Sequence, residues 1–283
     1  MPTDLPRVVL DHVERWPAAH VGIVVVGPEG LLAQHGDVDR RFALASVTKA
    51  LVSSAVLMAV EEGALTLDDP AGPEGSTVRH LLAHASGLTP DGRSPMVAPG
   101  KRRIYSNSGF EILGETFATS TGIELGQYLR DGVLSPLEMT STSVPGSVAH
   151  SAVSTAGDLG RWVVALMQSV EEAPGTIWHR TTIEQLSEIQ FHDLAGVLPG
   201  YGPQSPNPWG LGFEIRGDKS PHWTGRHNSP RTFGHFGRSG TFVWIDPDVS
   251  LGLVALGDVD FGDWAIDLWP ALADAVLSSF GGV

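Results

Sequence analysis

Ser46-Val47-Thr48-Lys49 opens an apolar run that continues through residue 60. The run predicts a buried helix that ends near Gly63, a residue suited to a helix C-terminus. Lys49 is the sole charge in this run, and it falls in the first helical turn, where the helix dipole disfavours a cation by roughly 0.3–1 kcal/mol. Burying a lone ammonium is costly as well. Stability does not explain this lysine, so a chemical role is the better interpretation.

The spacing of Ser46 and Lys49 suggests what that role is. Residues three apart on a helix share a face, so the two side chains are expected to meet at the helix N-terminus. A serine hydroxyl becomes a good nucleophile when a base removes its proton. Lysine can be that base only when neutral, and burial and the positive helix end both lower its pKa. A second interpretation stays open, in which Ser46 only caps the helix and Lys49 extends to solvent.

Composition restricts the function classes. The chain has 283 residues, with 32 acidic and 18 basic side chains and a formal net charge of −14. This charge argues against nucleic acid and anionic membrane surfaces as partners. The absence of cysteine excludes disulfides, thiolate metal sites and a cysteine nucleophile. No P-loop, dinucleotide fingerprint or Gly-x-Ser-x-Gly elbow is present.

The N-terminal residues lack the pattern of a signal peptide. Asp11, Glu14 and Arg15 interrupt any apolar segment there. No uncharged apolar run reaches the length needed to span a bilayer. We therefore expect a cytoplasmic protein.

Strand patterns lie at both ends of the chain. The N-terminal part predicts a helix and a hairpin, over residues 5–16, 21–26 and 31–34. From residue 210 onward, short β-rich runs predict an antiparallel meander, over residues 211–215, 232–236, 241–245 and 251–256. An apolar helical stretch follows over residues 264–280, in which Pro270 either kinks the helix or begins one.

Helical patterns dominate the middle of the chain. They cover residues 78–83, 111–118, 125–129, 159–167 and, less clearly, 180–194. We predict an α+β fold, with one antiparallel sheet built from the N- and C-terminal segments and flanked by helices. The sheet region would span about 1–64 and 205–283, and a mostly helical insert about 65–204, within a single domain over 1–283.

Further segments bear on the serine hypothesis. They are His84-Ala85-Ser86-Gly87-Leu88, Tyr105-Ser106-Asn107, Pro136-Leu137-Glu138-Met139-Thr140, Ser154-Thr155-Ala156-Gly157-Asp158 and the run from Gly234 to Thr241. With Ser46 and Lys49, this ordered set resembles the class C β-lactamase-like serine hydrolases, from about Phe42 to Pro247. That family includes β-lactamases, D-Ala-D-Ala peptidases, D-amino-acid peptidases and carboxylesterases. Glu138 stands where the family commonly has glycine.

The resemblance implies roles for the matched residues. Ser46 would be the acylated nucleophile, and Lys49 would share its proton. Tyr105 would act as a phenolate or a proton relay, and Asn107 would orient Lys49 and the substrate. An unperturbed tyrosine titrates near about 10, so a phenolate needs nearby cations: Lys49, with Arg102 and Arg103 as further sources. Judged alone, Tyr105 is better explained as a half-buried aromatic residue whose hydroxyl contacts water.

The third motif maps to His235-Phe236-Gly237. Gly237 would let the substrate approach the backbone closely. The backbone N–H groups of Ser46 and Arg238 would form the oxyanion hole, in which losing one donor typically costs about 10²–10³ in rate. A rival for this motif is His222-Trp223-Thr224-Gly225.

The third motif departs from the pattern of penicillin-binding relatives. Those usually place Lys or Arg, then Thr or Ser, then Gly, and the first two hold the substrate carboxylate. Here Phe236 has no hydroxyl and His235 is mostly neutral at pH 7, although Arg238 is a possible substitute. We expect hydrolysis of small esters or amides with an uncharged acyl group. The enzyme would be a carboxylesterase or a weak β-lactamase, and the alternatives are a D,D- or D-amino-peptidase and a ligand-binding module without useful turnover.

No cofactor, metal, nucleic acid, membrane or obligate protein partner is expected. His80 and His84 have a helical i, i+4 spacing, but no glutamate completes a zinc-protease pattern, so a structural role is favoured. Three tryptophans are candidates to line the cleft: Trp209, Trp223 and Trp244.

Overall fold

The computed structural model describes residues 3–282. A seven-stranded sheet runs through the centre in the order β1-β3-β2-β11-β10-β9-β8. Its strands are β1 (Thr3–Asp4), β2 (Val21–Gly27), β3 (Gly30–Gly36), β8 (Glu214–Ile215), β9 (Phe233–Gly237), β10 (Thr241–Asp246) and β11 (Leu251–Gly257). All neighbours are antiparallel except β1 and β3. The sheet joins both ends of the chain, because β2 pairs with β11.

Two short two-stranded sheets lie outside the central one. They are formed by β4 (Phe42–Ala43) with β5 (Val153–Ser154), and by β6 (Gly196–Leu198) with β7 (Gly202–Gln204). The helices are α1 (Arg7–Val13), α2 (Val47–Glu61), α3 (Val78–Leu82), α4 (Asn107–Thr121), α5 (Leu125–Leu129), α6 (Ala156–Val170), α7 (Arg180–Ser187) and α8 (Asp263–Phe280). A π-helical turn, Arg130–Leu134, follows α5 directly.

The sheet separates two hydrophobic cores. Side chains alternate across a strand, so Ile23 and Val25 of β2 face one core while Val24 and Val26 face the other. The terminal helices α1 and α8 cover the first face, and α2 and α6 pack against the second. This layering confirms the predicted α+β architecture.

Helix α2 lies inside the protein along most of its length. All residues from Val47 to Ala59 are buried, which explains a sequence with no polar face. Its N-terminus lies beside β9, whose outer edge is free beyond Gly234 because β8 pairs with only Phe233 and Gly234. The serine of the opening motif therefore lies between a helix terminus and an uncovered strand edge.

Several expected boundaries change. The N-terminal helix is shorter than 5–16, α4 begins four residues earlier than expected, and α7 ends at Ser187 rather than near 194. The predicted strand 211–215 is reduced to the two residues of β8. Pro270 lies inside α8 and does not begin a helix. Glu138 has φ +54°, a conformation that favours glycine, which accounts for the glycine that the family commonly has at this position.

Within residues 3–282, no helix has both the length and the apolar character that crossing a membrane requires.

Candidate active site

Ser46 occupies the position before α2 but does not cap the helix. Its side chain makes no capping hydrogen bond, so the capping interpretation fails. Ala45, just before it, has φ +44°, an uncommon conformation for a residue with a side chain. The Thr48 hydroxyl donates to the Ala45 carbonyl at 2.6 Å and accepts from the Ala152 amide at 2.9 Å. The turn before Ser46 is thus held in place. The Ser46 hydroxyl is not used to cap the helix and stays available to react.

Lys49 is fully buried, so it does not extend to solvent as the second interpretation required. Its Nζ donates to Asn107 Oδ1 at 2.7 Å and to the Ala149 carbonyl at 2.8 Å. Burial lowers the pKa of Lys49 to about 7, against the opposing charges of Glu111 and Asp91. A neutral amine has two N–H groups, and these two acceptors satisfy both. The lone pair is then free to take a proton.

Asn107 is fixed from both ends of its amide. Its Oδ1 accepts from Lys49, and its Nδ2 donates to Asp91 Oδ1 at 2.8 Å. The preceding Ser106 caps α4 by accepting from the Gly109 amide at 3.0 Å. The cap positions the first helical residue, Asn107, and the carboxylate of Asp91 sets its orientation.

Tyr105 places its hydroxyl inside the protein. That hydroxyl is buried and has no hydrogen-bond partner among residues 3–282, and Lys49 Nζ lies 4.8 Å from the ring centroid. Burial raises the pKa of Tyr105 above its usual range, the neighbouring Ser46 side chain opposes the rise, and the charge of Glu214 adds to it. Tyr105 is a neutral phenol at pH 7, which favours the proton relay over the phenolate.

The two arginines before Tyr105 do not supply the expected charge. Arg102 is exposed. Arg103 is buried, and its guanidinium donates to the backbone carbonyls of Ala83, Gln190, Phe191 and Asn207. It therefore ties loops together and does not activate the phenol.

The Tyr105 ring is held by two other aromatic side chains. The His84 ring packs at 4.4 Å and the Trp209 ring at 5.8 Å, measured between ring centroids. His84 Nδ1 accepts from the Ser106 amide at 3.1 Å, and burial lowers the pKa of His84 well below its usual value. His84 is thus a neutral packing residue, whereas His80 stacks on Phe191. No cluster of metal-ligating side chains occurs in residues 3–282.

His235 lies on β9 and is buried. Its Nδ1 lies 2.8 Å from the Phe236 carbonyl, which requires a proton on that nitrogen. Burial lowers the pKa of His235 to about 3, and Lys49 contributes to the decrease. Nε2 is therefore a bare acceptor, and it has no protein partner in the described chain. Such a group repels a substrate carboxylate.

Phe236 and Gly237 have structural reasons to be there. Phe236 packs against Phe261 at 5.0 Å, Trp223 at 5.7 Å and Trp269 at 5.9 Å between ring centroids. A Cβ on Gly237 would lie 2.2 Å from the Leu44 carbonyl oxygen. Within the described chain, the closest neighbour of Gly237 is thus the backbone before Ser46.

The two expected oxyanion donors are both free. The backbone amides of Ser46 and Arg238 donate no hydrogen bond within residues 3–282. The turn that carries Arg238 is fixed by bonds from the Gly240 amide to the Gly237 carbonyl and from the Phe261 amide to the Arg238 carbonyl, at 3.1 and 2.7 Å. The Arg238 side chain is exposed.

The rival third motif is part of a buried polar network. Glu214 accepts from Lys219 and from Trp223 Nε1, and His222 Nε2 lies 2.8 Å from the same carboxylate. Burial alone would raise the pKa of Glu214, but Lys219 and His222 outweigh it and lower that pKa to about 2. Because His222 and Trp223 are committed to this network, the residues around 222–225 do not serve as the third motif.

A cavity of about 310 Å³ is lined by five of the eight predicted site residues, and its lining does not include Lys49, Asn107 or Gly237. Its lining includes Ser46, Tyr105, His235, Phe236 and Arg238. Trp209 and Glu214 also line it, although neither stands in a motif. The volume is within the range of small-molecule sites. Trp209 was a candidate for the cleft and does line it, whereas Trp223 and Trp244 are buried in the core behind.

Sequence reasoning missed Asp91 and the Ala149 carbonyl. Both act on Lys49, one through Asn107 and the other directly. Neither stands in a recognisable motif, and a backbone carbonyl has no residue signature at all. The sequence held no signal that would find them.

A serine that directly precedes a helix and a buried lysine of lowered pKa lie near a neutral tyrosine and two free amides, an arrangement that fits the acyl-transfer chemistry of serine hydrolases. The family model for β-lactamases matches residues 33–276, and the chain belongs to this family, whose members are serine hydrolases. A crystal structure of a β-lactamase from Mycobacterium bovis is 51% identical, with a TM-score of 0.93, and the match covers 96% of this chain and 99% of that one.

More distant relatives differ in what their names say. Penicillin-binding protein 4* of Bacillus subtilis is 25% identical over 46% of this chain and 38% of its own length. A putative D-alanyl-D-alanine carboxypeptidase of Salmonella heidelberg is 24% identical over 67% of this chain and 54% of its own. The chain thus spans about two fifths to a half of these curated relatives. Simvastatin synthase of Aspergillus terreus shares the fold, with a TM-score of 0.76, 17% identity and coverage of 98% and 94%.

Proposed function

We propose that the protein hydrolyses small esters or amides with an uncharged acyl group, through an acyl-enzyme on Ser46. The observation that carries the proposal is the environment of Lys49. Its pKa is about 7 and its two hydrogen bonds go to fixed acceptors, which is the state required of a general base at neutral pH.

Acylation follows from this arrangement. Lys49 removes the Ser46 proton as the serine oxygen attacks the substrate carbonyl. The amides of Ser46 and Arg238 stabilise the oxyanion. The bond to the leaving group breaks, Tyr105 donates its proton to that group, and Lys49 returns the proton to Tyr105. Deacylation repeats the sequence with water as the nucleophile.

The walls of the cavity favour a carboxylesterase. The bare acceptor of His235 and the aromatic face of Phe236 offer nothing to a carboxylate. Among the described residues, Arg238 is the one cation in the lining, and its side chain is exposed, while the net charge of −14 repels anions. Hydrolysis of β-lactams is a second candidate, supported by the 51% identity to a protein named a β-lactamase. D,D-peptidase activity is supported only by partial matches to curated relatives.

Fluorophosphonate treatment followed by peptide mass spectrometry tests the nucleophile. We expect one adduct, on Ser46, which Ser46→Ala abolishes and Ser278→Ala, at an exposed position of α8, does not. A panel of p-nitrophenyl esters, nitrocefin and D-alanyl peptides then ranks the activities, with esters expected first. An unlabelled folded protein that turns over none of them is instead a binding module. We also propose a cytoplasmic location, which cell fractionation tests.

A further inference from the structure

A second cavity, of about 460 Å³, adjoins the one that contains Ser46. The two share Tyr105 and Pro199. The walls of the second cavity are mostly apolar and include Pro90, Met96, Val97, Ile104 and Val197. We call it the Val197 cavity. Nothing in the acylation steps uses it.

Two of its side chains are unusually exposed. Met96 is 63% and Val197 is 49% exposed, among only six large hydrophobic residues that are exposed in the described chain. Folding gains little from either in this state. Exposed apolar groups that converge on one concave surface indicate a ligand with an apolar body.

The cavity is built from fixed backbone. The Met96 amide donates to the Gly87 carbonyl at 2.8 Å, and a Cβ on Gly87 would lie 2.0 Å from the Val97 carbonyl oxygen. On the opposite wall, the Arg103 amide donates to the Ala195 carbonyl at 2.9 Å, next to β6, which carries Val197. A preformed cavity of this kind binds a ligand at low conformational cost.

In the described chain, two charged side chains line the Val197 cavity, and each is either occupied by other groups or exposed to solvent. The guanidinium of Arg103 is committed to backbone carbonyls. Arg102 is exposed, so its charge lies in solvent. The remaining lining offers little to an anionic group, which favours a neutral chain or ring.

The position of Tyr105 decides which half of the substrate reaches the Val197 cavity. Ser46 and the oxyanion donor Arg238 line the first cavity and not the second, whereas Tyr105 lines both. The leaving group must be next to the proton donor when its bond to the carbonyl carbon breaks. We propose that the Val197 cavity binds the apolar alcohol portion of an ester substrate, a proposal that rests on the function assigned to Ser46 and Tyr105 above.

Two series of esters separate the halves of the substrate. In the first, acetate esters carry ethyl, butyl, hexyl or octyl alcohols; in the second, ethyl esters carry acyl groups of the same lengths. We expect kcat/KM to rise through the alcohol series by roughly two- to fourfold per added methylene until the cavity is filled. The acyl series should rise much less. A rise confined to the acyl series, or none in either, overturns the proposal.

Variants assign the effect to the cavity. Val197→Ser and Met96→Ser should each lower kcat/KM for hexyl acetate by roughly three- to tenfold and leave ethyl acetate unchanged. Val8→Ser is the matched control, since Val8 is 54% exposed on α1 on the far side of the sheet. Equal losses on both esters contradict the assignment. Failure to hydrolyse any ester, with Ser46 unlabelled, overturns the function itself rather than the cavity.

Discussion

Lys49 Nζ lies 2.7 Å from Oδ1 of Asn107, a residue 58 positions further along the chain. The bond joins the helix that carries the nucleophile to the first residue of α4. Asn107 is oriented in turn by Asp91, so the environment of the lysine depends on a helix terminus and a loop that are distant from it in sequence. The site works as one unit, although its residues come from separate segments.

The pH dependence of hydrolysis should follow Lys49. Because the base must be neutral, kcat/KM for a neutral ester should fall about tenfold per unit as the pH drops below about 7. The pKa of Tyr105 is raised above its usual range, so no alkaline loss is expected below pH 10. Lys49→Arg should lower kcat/KM by at least about 10³, whereas Lys101→Arg, at an exposed lysine, should not. A profile that stays flat between pH 5 and 8 contradicts a lysine base.

Asp91→Asn should shift the acidic limb of this pH profile, the fall in kcat/KM below about pH 7, without abolishing activity. The charge of Asp91 raises the pKa of Lys49, so its removal should shift the limb below pH 7 by a few tenths of a unit, because Asp91 is exposed. Asp91→Ala should also release the Asn107 amide and reduce kcat by roughly tenfold. Asp11→Asn on α1 is the control. The measurement is the pH profile of kcat/KM for one neutral ester. An unchanged acidic limb in Asp91→Asn would exclude the electrostatic role of Asp91.

Gly237→Ala should damage both stability and activity. The new Cβ would lie 2.2 Å from the Leu44 carbonyl oxygen and 2.6 Å from Thr241 Oγ1, so the backbone before Ser46 must move. We expect a loss of roughly 2 kcal/mol in the free energy of unfolding and at least about 10²-fold in kcat/KM. Gly126→Ala, in α5, meets only one atom at 3.7 Å and should leave both unchanged or raise stability slightly. Urea denaturation and ester turnover measure the two effects.

Lys219→Met should destabilise the protein by roughly 3–5 kcal/mol, because it leaves the buried carboxylate of Glu214 without its cation. Adding Glu214→Gln should recover part of the loss. Arg7→Met, at an exposed ion pair, should cost no more than about 1 kcal/mol.

In the natural chain, the pKa of Glu214 is lowered from 4.5 to about 2. Its contribution is therefore complete above pH 4.5 and disappears as the pH falls toward 2, which acid denaturation measures.

His235→Lys with Phe236→Thr should change the substrate preference. The first change replaces a bare acceptor with a cation, and the second supplies a hydroxyl, so the ratio of nitrocefin to ester hydrolysis should rise at least tenfold. Phe236→Thr removes a ring packed against Phe261 and Trp269, at a cost of roughly 2–4 kcal/mol in stability. Phe236→Thr alone is the control, and an unchanged ratio in the pair would show that the third motif does not select against carboxylates.

Local patterns predicted most of the fold. The meander and α8 were found because period-two alternation and turn residues mark their limits, and α2 because its apolar run ends near a glycine. A short strand such as β1 could not be found, since two residues carry no periodicity. The outlying sheets of β4 with β5 and β6 with β7 depend on tertiary contacts in the same way.

The candidate site was predicted where chemistry has a residue signature. Ser46, Lys49, Tyr105 and Asn107 stand in motifs, and the structure brings them together. Burial decided the rest. Burial raises the pKa of Tyr105 further and makes His235 a bare acceptor, and no local sequence reports how deeply a side chain lies.

The pairing of β2 with β11 has a consequence for how the protein is made. Val24 of β2 faces Val254 of β11, and Gly237 beside Ser46 belongs to the same late-synthesised meander. Contacts of such sequence separation form slowly. When Ser46 and Lys49 have left the ribosome, the nascent chain still lacks the edge of β9 and the backbone amide of Arg238. We therefore expect Ser46 to be unreactive during most of synthesis and to become reactive only when the last strands join the sheet.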